Sequence, residues 1–198
     1  MIRFIDIEQS EPYKNFNSLY KRALKNGQRS IEAFSISSFD SKIQEVQSRY
    51  VNLKYVIENE WIFFSNYNSP KSKSFESHNQ ITALFFWPYI NSQIRIKATI
   101  KKTTADFNND YFKKRSPEKN ALAISSCQSE ITDSYESVVT NFSKTLKSKD
   151  LMKCPHYWGG FSFSPYYFEF WEGHESRLNK REIFKLKDGE WEKYFIQP

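Results

Sequence analysis

Three short stretches near the carboxyl terminus are the most informative part of this chain. Residues 157–161 read YWGGF, residues 169–173 read EFWEG, and residues 177–181 read RLNKR. Three of the five glycines of the protein lie here, beside two tryptophans and two arginines. Glycine allows close backbone approach, tryptophan offers a flat apolar face, and arginine offers a planar cationic fork. The combination is typical of a site for a flat aromatic ligand that carries a phosphate.

The length and composition of the chain predict one soluble domain with an aromatic core. A chain of 198 residues has the size of a single domain, so residues 1–198 are assigned to it. Eighteen phenylalanines and twelve tyrosines supply much of the core. The first residues are too acidic for a signal peptide, and the longest apolar run, residues 83–88, has the length of a strand. We therefore expect a cytoplasmic protein that does not cross a membrane.

The net charge of +6 points to an anionic partner. Basic and acidic residues are interleaved along the chain, without a basic tail or a nucleic-acid-binding motif. A phosphorylated small molecule explains this balance better than nucleic acid or a membrane, and charge kept for solubility is the alternative. Cys127 and Cys154 and the three histidines are scattered without the spacing of a metal site, so we expect no bound metal.

The apolar pattern predicts helices in three places. Residues 12–26 have helical spacing and end before Gly27, within an N-terminal helical segment formed by residues 1–30. Residues 70–79 suit a short helix, and residues 104–148 are predicted to be a helix-rich insertion. In that insertion, Ser116 is expected to cap a helix that begins at Pro117.

The rest of the chain is rich in aromatic and β-branched residues and predicts mostly antiparallel strands. Residues 58–60 and 188–189 are expected to form hairpin turns. An α+β fold around a closed or split β-barrel, with peripheral helices, follows from this order. The predicted strands are residues 31–39, 48–57, 61–65, 81–87, 93–101, 160–164, 168–171, 182–187 and 191–196.

Two segments carry basic and hydroxyl side chains that suit a phosphate. Arg49 and Lys54 are five positions apart on one predicted strand, so they would lie on opposite faces and serve two ligands. Ser65, Ser69 and Lys71 surround the start of the next helix, whose free N–H groups favour an anion. Taken alone, the first segment is better explained as an edge strand with solvated charges, and the second is a weak signal.

Two further segments could complete such a site. Tyr111 and Arg115 are four positions apart and would share a helix face near the helix that starts at Pro117. A second phosphate could bind there, although a solvated basic helix end explains the pattern about as well. Residues 125–129 read SSCQS and could hydrogen-bond a ligand ring, but a plain helix terminus explains them better.

The segments in order resemble the pyridoxamine 5′-phosphate oxidase family from about residue 33 to the carboxyl terminus. No catalytic triad, phosphate-binding glycine loop or metal motif is present, which indicates that a cofactor carries the chemistry. The motifs that carry the resemblance are R-x-x-x-x-K at 49–54, S-x-K at 69–71, Gln93, Y-x-x-x-R at 111–115, Q-S at 128–129, W-G-G-F at 158–161 and E-F-W-x-G-x-x-x-R-L-x-x-R at 169–181.

The resemblance implies an FMN-binding split barrel that forms a homodimer, with two FMN sites at the subunit interface. It implies that Arg49 and Lys71 take the FMN phosphate, and that Gln93 hydrogen-bonds the flavin ring. The full implied set for the cofactor is Arg49, Tyr50, Val51, Asn52, Leu53, Lys54, Phe64, Ser65, Ser69, Lys71, Gln93, Gln128, Ser129, Trp171 and Arg181.

For the substrate, the resemblance implies a second phosphate site and two residues near the reacting ring. The substrates would be pyridoxamine or pyridoxine 5′-phosphate, oxidised to pyridoxal 5′-phosphate with oxygen as acceptor and hydrogen peroxide as product. Arg177 and Asn179 occupy the catalytic positions, with Arg177 against the pyridine ring. The implied substrate-binding residues are Lys54, Tyr111, Arg115, Lys119, Arg177 and Asn179.

The chain departs from the family pattern at its last five residues, 194–198, which lack a usual arginine, and at four positions in or beside the implied sites. Pro70 stands where a second phosphate-binding arginine is usual, and Phe64 replaces a tyrosine. Lys119 replaces a serine in the substrate-phosphate site, and Asn179 replaces a histidine. These changes keep two alternatives open. One is a related flavin oxidase with another substrate, of the phenazine-biosynthesis type, and the other is a non-catalytic protein that binds FMN or pyridoxal phosphate.

Overall fold

One long strand, Trp158–Glu172, organises the sheet of this protein. The computed structural model describes residues 1–148 and 150–198, which contain ten strands in one sheet and five α-helices. The strands are β1 Arg3–Ile5, β2 Ala33–Asp40, β3 Glu45–Asn52, β4 Tyr55–Ile57, β5 Glu60–Asn66, β6 Gln80–Trp87, β7 Ser92–Lys102, β8 Trp158–Glu172, β9 Lys180–Lys187 and β10 Glu190–Phe195. The helices are α1 Glu11–Lys25, α2 Pro70–Ser77, α3 Ala105–Lys113, α4 Pro117–Ser125 and α5 Tyr135–Ser148, with a 3₁₀ turn at Pro88–Ile90.

The sheet is mostly antiparallel and runs in the order β1-β4-β5-β8-β7-β6-β2-β3, while β9 pairs with the second half of β8 and β10 pairs with β9. Only β1 and β4 pair in parallel among the described strands. The predicted α+β architecture, with an antiparallel sheet and peripheral helices, is therefore confirmed.

The prediction of two strands at residues 160–164 and 168–171 is wrong, because β8 is continuous. Pro165 lies within it and has no N–H to donate. The strand tolerates this residue because its partner changes there: β5 pairs as far as Phe163, and β9 begins to pair at Tyr167. On the opposite edge, the register with β7 shifts at the same level, between Lys97 and Ala98.

The predicted strand 48–57 is also wrong, since it is two strands separated at Leu53 and Lys54. Strand β3 pairs with β2, whereas β4 turns back through the predicted hairpin and pairs with β5. The break occurs because the Leu53 side chain is fully buried in the core and its N–H bonds to the carbonyl of Glu32. Strand β1 was not predicted, since three residues carry too little pattern.

Aromatic side chains fill the centre of the barrel, as the composition predicts. Helix α1 buries Phe16 among them, and its ring packs edge-on against Trp61 and Phe85. The alternation predicted for β7 is confirmed, with its isoleucines and Ala98 buried. Gly27 follows α1 with φ of +75°, the left-handed conformation that ends many helices.

The segment between β7 and β8 contains α3, α4 and α5, in agreement with the predicted helix-rich insertion. Asn120 ties these helices together by donating to the carbonyls of Phe112 and Leu151 at 3.0 and 2.8 Å. Across residues 1–148 and 150–198, no helix combines the length and apolar character needed to span a membrane. The end of α3, the start of α4 and the loop after α4 line the cavity described below.

Candidate active site

A cavity of about 850 Å³ lies between strands β3 to β5, the start of α2, and the junction of α3 with α4. Its described lining includes no aspartate or glutamate, although seven lysines and arginines contribute to it. A cavity with this balance favours anions, because no lining carboxylate neutralises its cations. The seven basic residues are Arg3, Arg49, Lys54, Lys71, Lys114, Arg115 and Lys119.

Lys71 and Arg49 form one group of cations at the start of α2. The Lys71 amine is buried and donates to the hydroxyls of Ser65 and Ser69, at 3.1 and 3.0 Å. Burial lowers the pKa of Lys71 to about 8, and the nearby charge of Arg49 acts in the same direction. Burial also lowers the pKa of Arg49, which donates to the Gln47 side chain at 2.7 Å.

Lys54, Tyr111, Arg115 and Lys119 form a second group on the other side of the cavity. Burial lowers the pKa of Lys54, while Glu32 opposes this effect and Lys119 and Arg115 reinforce it. Burial likewise lowers the pKa of Arg115, and it raises the pKa of Tyr111. Among the described residues, no close carboxylate offsets the cost of burying these side chains, apart from Glu32, which lies 3.9 Å from the Lys54 amine.

Two predictions about the cavity residues need correction. Arg49 and Lys54 do not lie on opposite faces of one strand, because β3 ends at Asn52 and both side chains line the same cavity. Tyr111 and Arg115 do not share a helix face, because α3 ends at Lys113. The two side chains still meet at the cavity, since the backbone N–H of Arg115 bonds to the carbonyl of Phe112 in the turn that follows.

Three aromatic rings from distant parts of the sequence form one wall of the cavity as a stack of nearly parallel rings. Phe64 stacks on Tyr111 with 3.7 Å between ring centroids and 6° between planes. Phe64 is also parallel to Trp158, at 5.2 Å and 8°. The Arg115 guanidinium lies over the Trp158 ring, 4.3 Å from its centroid. The wall therefore carries both an apolar surface and the cation at its edge.

The two glycines after Trp158 are required by packing against neighbouring side chains. A β-carbon on Gly159 would lie 2.2 Å from the Tyr67 hydroxyl, and one on Gly160 would lie 2.6 Å from the Thr103 hydroxyl. The Tyr67 hydroxyl donates to the carbonyl of Gly160 at 2.9 Å, and Asn108 accepts from its N–H at 2.8 Å. The glycines thus fix the start of β8, which holds Trp158 in place.

Most of the other predicted cofactor-binding residues near Lys71 line the cavity. Gln128 and Ser129 lie in the loop after α4 and line the cavity, and Gln128 accepts from the Ser65 hydroxyl at 3.2 Å. Ser69 is buried beneath Lys71, and Leu53 is in the core. Tyr50, Val51 and Asn52 line the cavity from β3.

Gln93, Trp171 and Arg181 form a separate group at the far end of β8. Trp171 pairs with Gln93 on one side and with Arg181 on the other. Arg181 donates through two nitrogens to Glu169, at 2.9 and 2.7 Å, and Arg95 binds the other carboxylate oxygen. Although burial raises it, the hydrogen bonds from Arg181 and Arg95 hold the pKa of Glu169 below its usual value.

Arg177 and Asn179 lie on the loop between β8 and β9. Arg177 is exposed and has φ of 60°, a left-handed conformation that is uncommon for a residue with a side chain. The Asn179 side-chain oxygen accepts from the backbone N–H of His174 at 3.0 Å and closes the loop. Neither residue lines the cavity of its own chain.

The residues that line the cavity and the group formed by Gln93, Trp171 and Arg181 are too far apart to act on one ligand in a single chain. Trp158 lines the cavity, and Trp171 lies near the other end of the same strand. At about 3.3 Å per residue, β8 separates them by roughly 40 Å along the strand. A complete site that uses both groups therefore requires a second copy of the chain.

Sequence reasoning missed Arg3 and Lys114, which also line the cavity. Arg3 reaches it because β1 pairs with β4 and the backbone N–H of Arg3 bonds to the carbonyl of Lys54, at 2.9 Å. No local pattern reveals this pairing, since it joins the first residues to a strand some fifty positions later.

The chain is similar to known proteins in both sequence and structure. The family model for the pyridoxine 5′-phosphate oxidase C-terminal dimerisation region matches residues 158–198. A pyridoxine/pyridoxamine 5′-phosphate oxidase of Leptospira biflexa is 34% identical over 191 residues, which cover 95% of this chain and 89% of that protein. This chain belongs to the pyridoxine/pyridoxamine 5′-phosphate oxidase family. The protein of the same name from Coxiella burnetii is 30% identical and covers 96% of each chain.

Two solved structures share the fold. PhzG from Burkholderia lata, in complex with tetrahydrophenazine-1-carboxylic acid, has a TM-score of 0.90 with 21% identity and covers 96% of this chain and 93% of its own. A pyridoxamine 5′-phosphate oxidase-related, FMN-binding protein from Nostoc punctiforme has a TM-score of 0.79 with 13% identity, over 96% and 100% of the two chains. The predicted split-barrel fold is thereby confirmed.

Proposed function

We propose that this protein is an FMN-dependent oxidase that converts pyridoxamine or pyridoxine 5′-phosphate to pyridoxal 5′-phosphate, with oxygen as acceptor and hydrogen peroxide as product. The observation that carries the proposal is a cavity whose described lining has no carboxylate and in which two groups of cations flank a stack of aromatic rings. The cofactor and the substrate each bring one phosphate and one aromatic ring system. Two phosphates and two stacked rings match that arrangement. Family membership supports the same reaction.

The first group fits the phosphate of FMN. The buried Lys71 amine has only hydroxyl partners, and a buried cation without a carboxylate is stabilised by a bound anion. Arg49 and the N-terminus of α2, which begins at Pro70, add further positive charge. Bound FMN would supply hydride acceptance from the substrate and transfer of the electrons to oxygen.

The second group fits the phosphate of the substrate. Lys54, Arg115 and Lys119 supply charge, and the Tyr111 hydroxyl supplies a further hydrogen bond. Held there, the substrate ring would lie near the wall formed with Phe64, and the side-chain carbon would be oriented for transfer. The chain contributes binding, orientation and exclusion of water, and needs no acid–base pair of its own.

The remaining groups would come from the partner in a homodimer. The match of residues 158–198 to a dimerisation region and the length of β8 support this assembly. Gln93, Trp171 and Arg181 of one chain would then meet FMN held by the other. Arg177, on the same loop as Asn179, would cover the substrate ring and exclude water.

A second candidate is a related flavin oxidase with another anionic substrate. The fold similarity to PhzG favours keeping this candidate, as do the extra cations Arg3 and Lys114 in the cavity. A carboxylated tricyclic compound would also suit an aromatic wall edged by cations. A non-catalytic binder of FMN or pyridoxal phosphate is less well supported, because binding FMN alone leaves the second cation group without a role.

Turnover with pyridoxamine 5′-phosphate tests the proposal. Protein reconstituted with FMN and mixed with substrate in air should form aldehyde and hydrogen peroxide in equal amounts over many turnovers. Arg177→Ala should retain FMN and lose turnover by about 100-fold or more, because an orienting contact to the reacting ring is removed. Flavin-loaded protein that forms no product would move the assignment to another substrate or to a binding role.

A further inference from the structure

Two aromatic rings pack against the guanidinium of Arg115, but the described residues do not satisfy all of its hydrogen-bond donors. Its guanidinium lies 4.3 Å from the centroid of Trp158 and 5.3 Å from that of Phe112. One terminal nitrogen, Nη2, donates to the carbonyl of Lys119 at 3.0 Å. The other, Nη1, is buried without a hydrogen-bond partner among the described residues. An unpaired buried donor is costly unless a ligand satisfies it.

The ring of Trp158, which supports Arg115, is itself buried and closely packed. Trp158 is 6% exposed, packs edge-on against Phe112 at 5.0 Å, and is parallel to Phe64. The strand that carries it is closely packed at this point, since a β-carbon on Gly159 would collide with the side chains of Tyr67 and Asn108. The indole is also parallel to the ring of Tyr111, with 3° between planes. Trp158 thus packs on Arg115 and lies parallel to Tyr111, which are two of the four residues assigned to the substrate phosphate.

We propose that Trp158 is a positioning residue for the substrate anion, which holds the guanidinium of Arg115 at the lining of the cavity, where it can bind a phosphate oxygen. The inference rests on the proposed function, in which Arg115 takes that phosphate. An indole is the strongest aromatic partner for a guanidinium. An arginine that is already ordered loses less side-chain freedom when the anion binds, so affinity for the anion increases.

Steady-state kinetics of Trp158 variants test this role. In FMN-loaded protein, Trp158→Leu should raise KM for pyridoxamine 5′-phosphate about tenfold, with kcat changed by less than about twofold. The inhibition constant of inorganic phosphate should rise by the same factor, while FMN affinity stays the same. Trp158→Phe, which keeps a smaller aromatic face, should give a smaller rise and serves as the variant that preserves the packing.

Two comparisons separate positioning from simple loss of structure. Trp191→Leu removes a partly buried tryptophan that packs on Phe168, away from the cavity, and should leave KM unchanged. In a double-mutant cycle with Arg115→Lys, the added change Trp158→Leu should raise KM by less than about twofold, since its effect passes through the guanidinium.

The proposal is overturned if the effects of the two substitutions multiply, or if Trp158→Leu and Trp191→Leu raise KM equally. Failure of the proposed function is a different result, in which the wild-type protein does not turn over pyridoxamine 5′-phosphate. Calorimetric titration of FMN-loaded protein with inorganic phosphate then decides. About tenfold weaker binding in Trp158→Leu supports the positioning role, and equal binding in the two proteins contradicts it.

Discussion

The cavity and the far end of β8 both collect arginines or lysines, but they balance the charges in opposite ways. At the far end, Arg95 and Arg181 share the carboxylate of Glu169, which is 2% exposed. In the cavity, the Lys71 amine has two hydroxyls as hydrogen-bond partners, and one Arg115 nitrogen has no partner among the residues that the structure describes. At the far end of β8, the arginines are paired with a carboxylate of the same chain. The cavity keeps its positive charge for a ligand.

This difference predicts which charges stabilise the free protein. The arginines paired with Glu169 do so, although Arg181 is also proposed to meet FMN in the dimer, and the cations of the cavity do not. A buried charge that has its partner contributes to the native state as part of a set, and loss of one member is costly. A buried charge without a partner destabilises the free protein and contributes its energy when an anion binds. Substitutions in the two regions should therefore have opposite signatures.

The largest effect is expected at Glu169. Glu169→Gln removes the charge that Arg95 and Arg181 share, so the free energy of unfolding should fall by about 3 kcal/mol. Urea denaturation of the FMN-free protein measures it. Glu172→Gln is the matched control, because its pair with Arg22 is largely exposed and should be worth less than about 1 kcal/mol. Equal losses in the two variants would contradict the contrast between the regions.

The opposite signature is expected at Lys71. Lys71→Met should leave the stability of the FMN-free protein unchanged or slightly higher, because an uncompensated buried amine is removed. FMN affinity should fall by about 10- to 100-fold, the value of a charged hydrogen bond to phosphate. Flavin fluorescence titration measures it, with Lys73→Met, exposed on the same helix, as control. A clear loss of stability without FMN would show that Lys71 has a structural role instead.

The pKa of Lys71, lowered by burial to about 8, predicts a pH dependence. Between pH 8 and about 10.4, the value in an unfolded chain, the unfolded state binds more protons, so stability of the FMN-free protein should rise with pH. FMN affinity should fall over the same range, by about fivefold from pH 8 to 9, since the phosphate requires the charged amine. Lys71→Arg stays charged and should bind FMN without this dependence. The same slope in both proteins would exclude Lys71 as its source.

The smallest effect is expected from restoring charge at the start of α2. Pro70 is the first residue of that helix and lines the cavity beside Lys71. Pro70→Arg should increase FMN affinity by about three- to tenfold through a second charged contact. The same titration measures the gain, and Lys73→Arg controls for arginine elsewhere on α2. Unchanged affinity would indicate that the phosphate does not approach residue 70.

Local patterns in the sequence were enough to predict elements whose environment is uniform. Strand β7 alternates because one face meets the core along its whole length, and α1 presents one apolar face to the barrel. The continuity of β8 could not be predicted, since Pro165 is tolerated only because β5 and β9 divide the adjoining edge between them. That division depends on strands far apart in the chain.

The candidate site shows the same limit. Motif spacing identified basic residues such as Lys54, Lys71 and Arg115, which the structure brings to one cavity. The stack of Phe64, Tyr111 and Trp158 was not predicted, because its rings come from β5, α3 and β8. The glycines beside Trp158 suggested a bound ligand in the sequence, whereas the structure gives them a packing role.

The central claim is that each active site combines the cavity of one chain with the far end of β8 and the following loop from another. Coexpression of Arg115→Ala and Arg177→Ala chains with different tags allows the mixed dimer to be purified. One of its two sites would carry both defects and the other neither, so turnover of pyridoxamine 5′-phosphate should reach about half that of the wild-type dimer. Activity no higher than that of the two parent variants would contradict the account.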